Sequence, residues 1–113
     1  MRPRPHDKIG VALAVLRNIK LSAKDVNVGT YSNCREQGFF VTSYVNDKRI
    51  LNRRAVSFSE HRRSDNIVVQ FGCCDDFNDY GVLNEDKYPK NVKHFSVGEH
   101  EKAGAFATKW LKG

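Results

Sequence analysis

Two pairs of arginines are the side chains in this sequence best suited to chemistry with an anion. Arg53 and Arg54 precede a segment of alternating apolar residues, and a second pair follows it. Between residues 48 and 63 the only acidic side chain is Glu60. Guanidinium groups match the geometry of two phosphate oxygens and can bind them bidentately. We therefore predict an anion-binding surface made of Arg53, Arg54, Arg62, Arg63, Lys48, Arg49 and His61.

A second chemistry in the same stretch is metal-assisted cleavage of a phosphodiester. Glu60, His61 and Asp65 offer ligands for a divalent cation, but neighbouring residues of a strand point to opposite faces, and a further acid would be needed. No P-loop, Rossmann glycine pattern or nucleophile elbow occurs. The sequence therefore favours a protein that is not an enzyme, with a small metal-dependent nuclease or phosphodiesterase as the alternative.

Two other groups of residues have metal-binding side chains at unsuitable spacing. The acidic run at 75–79 does not follow the EF-hand order. Cys73 and Cys74 are adjacent, which suits zinc less well than a CxxC pair, and no second pair exists. We therefore expect no metal and no cofactor. The acidic loop 75–86 is a possible docking surface for a protein partner.

A β-hairpin is the element that must position the arginines. Ala55–Glu60 alternates apolar and polar residues, which is typical of a strand buried on one face. Ile67–Phe71 begins with three apolar residues and predicts a more deeply buried strand. A polar loop at 61–66 joins the two. On the opposite faces of neighbouring strands, Phe40 and Tyr44 are candidate stacking surfaces for bases.

The rest of the chain predicts two helices, further strands and one long loop. The first helix spans Lys8–Ile19 after an N-cap at Asp7, and the last helix follows a capping box of Ser96 and Glu99. Strands are expected at Val26–Tyr31, Phe39–Val45 and Val92–Phe95, the first with a bulge at Gly29 and the last at a sheet edge. The loop at 73–89 has no periodicity and is expected to be held to the core by Phe77, Tyr80, Val82 and Leu83.

These elements predict a single α+β domain of two layers. About four mostly antiparallel strands form the sheet, and an N-terminal and a C-terminal helix pack on it. Residues 1–6 are rich in arginine and proline and are expected to form a flexible basic arm, which leaves 7–113 as the domain. A chain of 113 residues is the usual size for one hydrophobic core.

Charge and cysteine content suggest where the protein works. The net charge is +6, but residues 64–86 contain six acidic and no basic side chains, so the surface is expected to carry both signs. No apolar run is long enough for a membrane span, so no membrane partner is expected. Three cysteines, two of them adjacent, do not form a disulfide framework, which favours the reducing cytoplasm.

The sequence thus predicts a small non-enzymatic binding protein that uses a basic β-hairpin to engage an anionic target. That target is a nucleic acid or the acidic groove of a nucleic-acid-handling complex. The general texture, short, basic and without a catalytic signature, resembles that of small accessory proteins of bacteriophages and mobile elements, some of which inhibit a host enzyme or defence system. A structural subunit that self-assembles through its two-signed surface is a further alternative, and the oligomeric state is left open.

Overall fold

The computed structural model describes residues 9–32, 36–44, 53–61, 66–78, 81–96 and 98–113, and it has an antiparallel sheet at its centre. The strands are β1 (Val26–Ser32), β2 (Glu36–Ser43), β3 (Arg54–His61), β4 (Asn66–Cys73) and β5 (Val92–Ser96), in that spatial order. Two helices, α1 (Ile9–Arg17) and α2 (His100–Lys112), pack on one face of the sheet. The predicted α+β class, with a helix at each end of the sequence, is confirmed, and the sheet has five strands.

The alternation of side chains along the strands decides which residues face the helices. Phe39, Phe58 and Val69 occupy one cross-strand row, and all three belong to the core under the helices. The pairing of β1 with β2 runs without interruption through Gly29, which lies opposite Phe40. The predicted bulge at Gly29 was therefore wrong, because the strand keeps its register with a glycine in place.

The core between helices and sheet is closed by contacts between the two helices. A β-carbon on Gly104 of α2 would lie 2.3 Å from Asn18 Cβ, so the glycine permits the close approach. The Thr108 hydroxyl accepts a hydrogen bond from the Lys20 amide at 3.0 Å and donates one to the Gly104 carbonyl at 2.8 Å. Residues from the two ends of the chain are thereby joined through one threonine.

A second, smaller core lies on the other face of the sheet. After β4 the chain forms two short 3₁₀ helices, Cys74–Asp76 and Glu85–Lys87, with a β-bridge between Phe77 and Leu83. Both bridge residues are buried against Ala55 of β3. The expectation that Phe77 and Leu83 hold this segment to the core is confirmed, and the segment has more regular structure than its sequence indicates.

The start of α2 differs from the predicted capping box. The helix begins at His100, and Glu99, not Ser96, occupies the N-cap position. The Glu99 carboxylate accepts a hydrogen bond from the Ser96 amide at 2.9 Å, and the Lys102 ammonium group donates to it at 3.2 Å. The bond from the Ser96 amide, with help from Lys102, lowers the pKa of Glu99. Half of the predicted box therefore forms, one turn before the helix.

Several predictions fall outside the described residues. The basic arm at 1–6, the N-cap at Asp7 and the side chain of Tyr80 belong to this group. The described part of α1 ends at Arg17, two residues before the predicted end. No helix within the described ranges is long and apolar enough to span a membrane.

Candidate anion-binding site

Arg53 and Arg54, adjacent in sequence, extend to opposite faces of the sheet. The Arg54 guanidinium carbon lies 4.1 Å from the centroid of the Trp110 ring, on the helix side. The Arg53 guanidinium carbon lies 4.1 Å from the centroid of the Tyr44 ring. Because side chains alternate along an extended chain, two consecutive arginines cannot serve one phosphate together. Of this pair, Arg54 alone joins the surface described next.

Trp110 gives Arg54 a rigid support. The indole N–H donates to the carbonyl oxygens of Ala55 and Gly72, both at 3.1 Å, and these two residues are cross-strand partners in β3 and β4. The indole ring also meets Phe71 edge to face, with the ring centroids 5.1 Å apart. With its donor and one edge fixed, the indole can hold the guanidinium plane by a cation–π contact.

A second cation lies over an aromatic ring one turn earlier on α2. The Lys93 ammonium group of β5 is 5.1 Å from the centroid of the Phe106 ring. Phe106 packs edge to face on Phe71, at 5.0 Å between ring centroids. Phe71 therefore supports both aromatic rings from below, which fixes the spacing of the two cation–aromatic pairs.

These side chains form the walls of an open cleft between α2 and strands β3 and β5. The cleft has a volume of about 420 Å³ and is lined by Arg54, Lys93, Phe106, Lys109, Trp110 and Gly113. Three of its lining side chains are cationic, and within the described ranges no carboxylate forms an ion pair with any of them. The cleft thus combines uncompensated positive charge with aromatic and guanidinium surface.

A second depression of about 420 Å³ lies on the other flank of α2. Its polar lining consists of Asn18, Lys20, Glu101, Thr108, Lys109 and Lys112. Lys109 lines both depressions, because at 100° per residue it lies on the outward side of the helix, opposite buried Ala107 and Leu111. A continuous basic surface therefore crosses α2 at Lys109.

The structure brings together only part of the predicted site. His61 ends β3, about 23 Å from Arg54 at roughly 3.3 Å per residue, so the two belong to different parts of the surface. The side chain of His61 lies outside the described residues. The same holds for four other predicted contacts, Lys48, Arg49, Arg62 and Arg63.

The predicted stacking residues are occupied within the fold. Phe40 meets Phe77 edge to face at 5.1 Å, and Tyr44 is covered by Arg53. The aromatic residues that do line a cleft are on α2, where the spacing of Phe106 and Trp110 indicated only a core face. The sequence signal that could have drawn attention to them is Lys109, an exposed cation beside Trp110.

The acidic side chains lie on the face opposite the helices, and one of them has a structural role. Asp76 accepts a hydrogen bond from the Cys73 amide at 2.9 Å and lies 3.6 Å from the Lys87 ammonium group. Asp75, Glu85 and Asp86 are exposed nearby. In the described ranges no three histidine, cysteine or acidic side chains are grouped so that they could hold a metal ion. Asp65, required by the nuclease alternative, lies outside those ranges.

The two adjacent cysteines have suppressed acidity. Burial raises the pKa of the Cys73 thiol, and the carboxylates of Asp76 and Asp75 raise it further. Burial also raises the pKa of the Cys74 thiol, against an opposing effect of the Arg53 guanidinium. Since the thiolate is the reactive species, both side chains should be poor nucleophiles at neutral pH.

Alkylation rates test this property of the thiols. In a Cys34→Ser variant at neutral pH, we expect iodoacetamide to modify Cys73 and Cys74 at least about 10-fold more slowly in the folded than in the urea-unfolded chain, because a raised pKa lowers the thiolate fraction. Mass spectrometry over time measures both rates. The folded rate should rise as the pH approaches the raised pKa. Equal rates in folded and unfolded chains would contradict the expectation.

Comparison with known proteins gives no assignment for the cleft, because no family model, no curated protein and no solved structure matches the chain. The chemistry of the cleft is therefore the guide to its use. Its lining side chains include cations and aromatic rings, but no carboxylate, imidazole or thiol. Such a lining suits the binding of an anionic group next to a flat ring.

Proposed function

We propose that the protein binds single-stranded nucleic acid, without chemical conversion, in the cleft between α2 and strands β3 and β5. The observation that supports this proposal is the guanidinium of Arg54 held on the Trp110 ring between two further cations, Lys93 and Lys109. The proposal keeps the predicted class of function and moves its centre from the hairpin tip to α2.

Stacking is the first part of the proposed recognition. Bases of single-stranded nucleic acids stack on aromatic rings and on the planes of arginine guanidinium groups. Trp110 fixes the guanidinium of Arg54 in advance, so little side-chain entropy is lost when a base arrives. Phe106 adds a second aromatic surface on the same side of the helix. A duplex hides its base faces and cannot use either surface.

Phosphate attraction is the second part. Lys93 and Lys109 border the cleft, and Lys112 and Lys20 continue the positive charge across α2. A strand whose base enters the cleft can pass over Lys109 with its phosphates beside these lysines. Each neutralised phosphate releases condensed counterions, so binding must weaken as salt increases. An acidic protein surface would satisfy the charges but would leave the stacking surfaces unused.

Fluorescence anisotropy with labelled oligonucleotides tests the proposal. We expect the single strand to bind more tightly than the duplex at low salt. The triple variant Arg54→Ser, Lys93→Ser, Lys109→Ser should lose at least about 100-fold in affinity, at roughly 1–3 kcal/mol for the stacking surface plus the phosphate contacts. The slope of log K against log salt should become shallower by about 2, at roughly 0.7 per phosphate contact.

A variant with the same net charge provides the control. Arg17, Lys24 and Lys90 are exposed cations outside both depressions. Changing all three to serine removes an equal charge and should weaken binding only a few-fold through the general field. The proposal fails if the wild type does not bind at low salt, or if the control loses as much affinity as the cleft variant. In the first case, an acidic protein target becomes the better explanation of the charges.

A further inference from the structure

The outer edge of β1 is unprotected. The strand has seven residues with no charged side chain and no proline, and its uninterrupted pairing with β2 leaves no bulge to turn the edge away. Its residues Asn27, Val28, Gly29 and Thr30 are exposed, and Val28 retains 44% of its accessible surface. Folded proteins usually protect an edge strand with charges, proline, bulges or a covering element. The edge thus offers free backbone donors and acceptors.

The opposite edge of the sheet shows the contrast. β5 has five residues, and two of its exposed side chains, Lys93 and His94, can carry positive charge. A second strand approaching β5 would meet these cations and the basic cleft beside them. Strand addition is therefore favoured at β1 and opposed at β5.

We propose that β1 pairs antiparallel with β1 of a second copy of this chain, which joins two sheets into one of ten strands. Antiparallel pairing of a strand with itself is two-fold symmetric and closes at two copies. Gly29 is the middle residue of Val26–Ser32, and pairing about it sets Val28 opposite Thr30 and Asn27 opposite Tyr31. All these pairs are uncharged, so the seam avoids the like-charge contacts that oppose pairing.

The net charge of the chain gives the pairing a characteristic response to salt. Two copies at +6 repel each other over long range, while the seam itself contains no charge. Added salt screens that repulsion and should strengthen the dimer. Salt weakens binding to a nucleic acid, so the two properties change in opposite directions and can be tested separately. The pairing does not depend on the proposed function.

Sedimentation equilibrium tests the pairing. Between about 1 µM and about 1 mM protein we expect a reversible monomer–dimer equilibrium that shifts toward dimer at higher salt. Val28→Lys adds a charge to each edge and should raise the dissociation constant at least about 10-fold, since both copies carry it. The matched control His94→Lys, an exposed position on β5, should change it less than about 2-fold.

Crosslinking provides a second measurement that tolerates a weak dimer. With the native cysteines replaced by alanine, Gly29→Cys sets two thiols opposite each other, at an expected Cα separation of about 4.5–5.5 Å, within disulfide range. Oxidation should then give a covalent dimer, whereas His94→Cys should not. The proposal is overturned by a protein that stays monomeric at every concentration and salt, or by a dimer that Val28→Lys does not weaken and Gly29→Cys does not link.

Discussion

Alanine in place of Trp110 should lower the free energy of unfolding by about 3–5 kcal/mol, the usual cost of removing a large packed aromatic side chain. The change deletes the edge-to-face contact with Phe71 and both hydrogen bonds from the indole to β3 and β4. It also removes the support of Arg54, so binding in the cleft should fall with stability. Urea unfolding followed by circular dichroism measures the first effect.

Two further variants separate the contributions within this result. Trp110→Phe keeps an aromatic ring but removes the donor, and should cost about 1–2 kcal/mol. Lys109→Ala, at the neighbouring exposed position, should change stability by no more than about 0.5 kcal/mol. A loss of less than about 1 kcal/mol for Trp110→Ala would show that the indole does not anchor α2.

Alanine at Gly104 should destabilise the fold by about 1–3 kcal/mol, although alanine is the better helix former. The added β-carbon would lie 2.3 Å from Asn18 Cβ and 2.9 Å from the backbone carbonyl of the same residue. Backbone atoms cannot yield as a flexible side chain can, so α1 and α2 must separate. Thermal or urea unfolding measures the loss.

Gly10 provides the matched control for this substitution. It lies in α1 with no atom within 4 Å of an added β-carbon. Gly10→Ala should therefore leave stability unchanged or raise it by up to about 1 kcal/mol through helix propensity. Opposite signs for the two glycines are the expected result. A stabilising Gly104→Ala would mean that the two helices do not approach as closely as described.

The strands of this fold follow from local patterns, and the site does not. Alternation at Val56 and Phe58 identified β3, and the apolar run from Ile67 identified β4, because burial on one or two faces leaves a direct trace in sequence. Aromatic spacing at Phe106 and Trp110 likewise identified α2. The pattern gave no sign that these two rings also border a cleft, because Arg54 and Lys93 reach them from distant strands.

The errors at Gly29 and at the start of α2 have a common cause. A glycine in a strand and a serine three residues before a glutamate are each compatible with two local structures. Pairing along the whole of β2 keeps β1 regular through Gly29. At Ser96 the chain is still paired with Asn66 of β4, so the helix cannot begin there. In both places the sheet decides between alternatives that the local sequence leaves equal.

The indole of Trp110 has a spectroscopic consequence. The chain contains one tryptophan, so emission excited at the red edge of protein absorption comes from a single ring at the wall of the cleft. The emission of an indole depends on the charge and polarity around it, and here a guanidinium lies 4.1 Å from its centre. Any molecule that displaces or covers Arg54 alters that environment, whereas an event at β1 leaves it untouched. The protein therefore carries its own optical reporter of what enters the cleft.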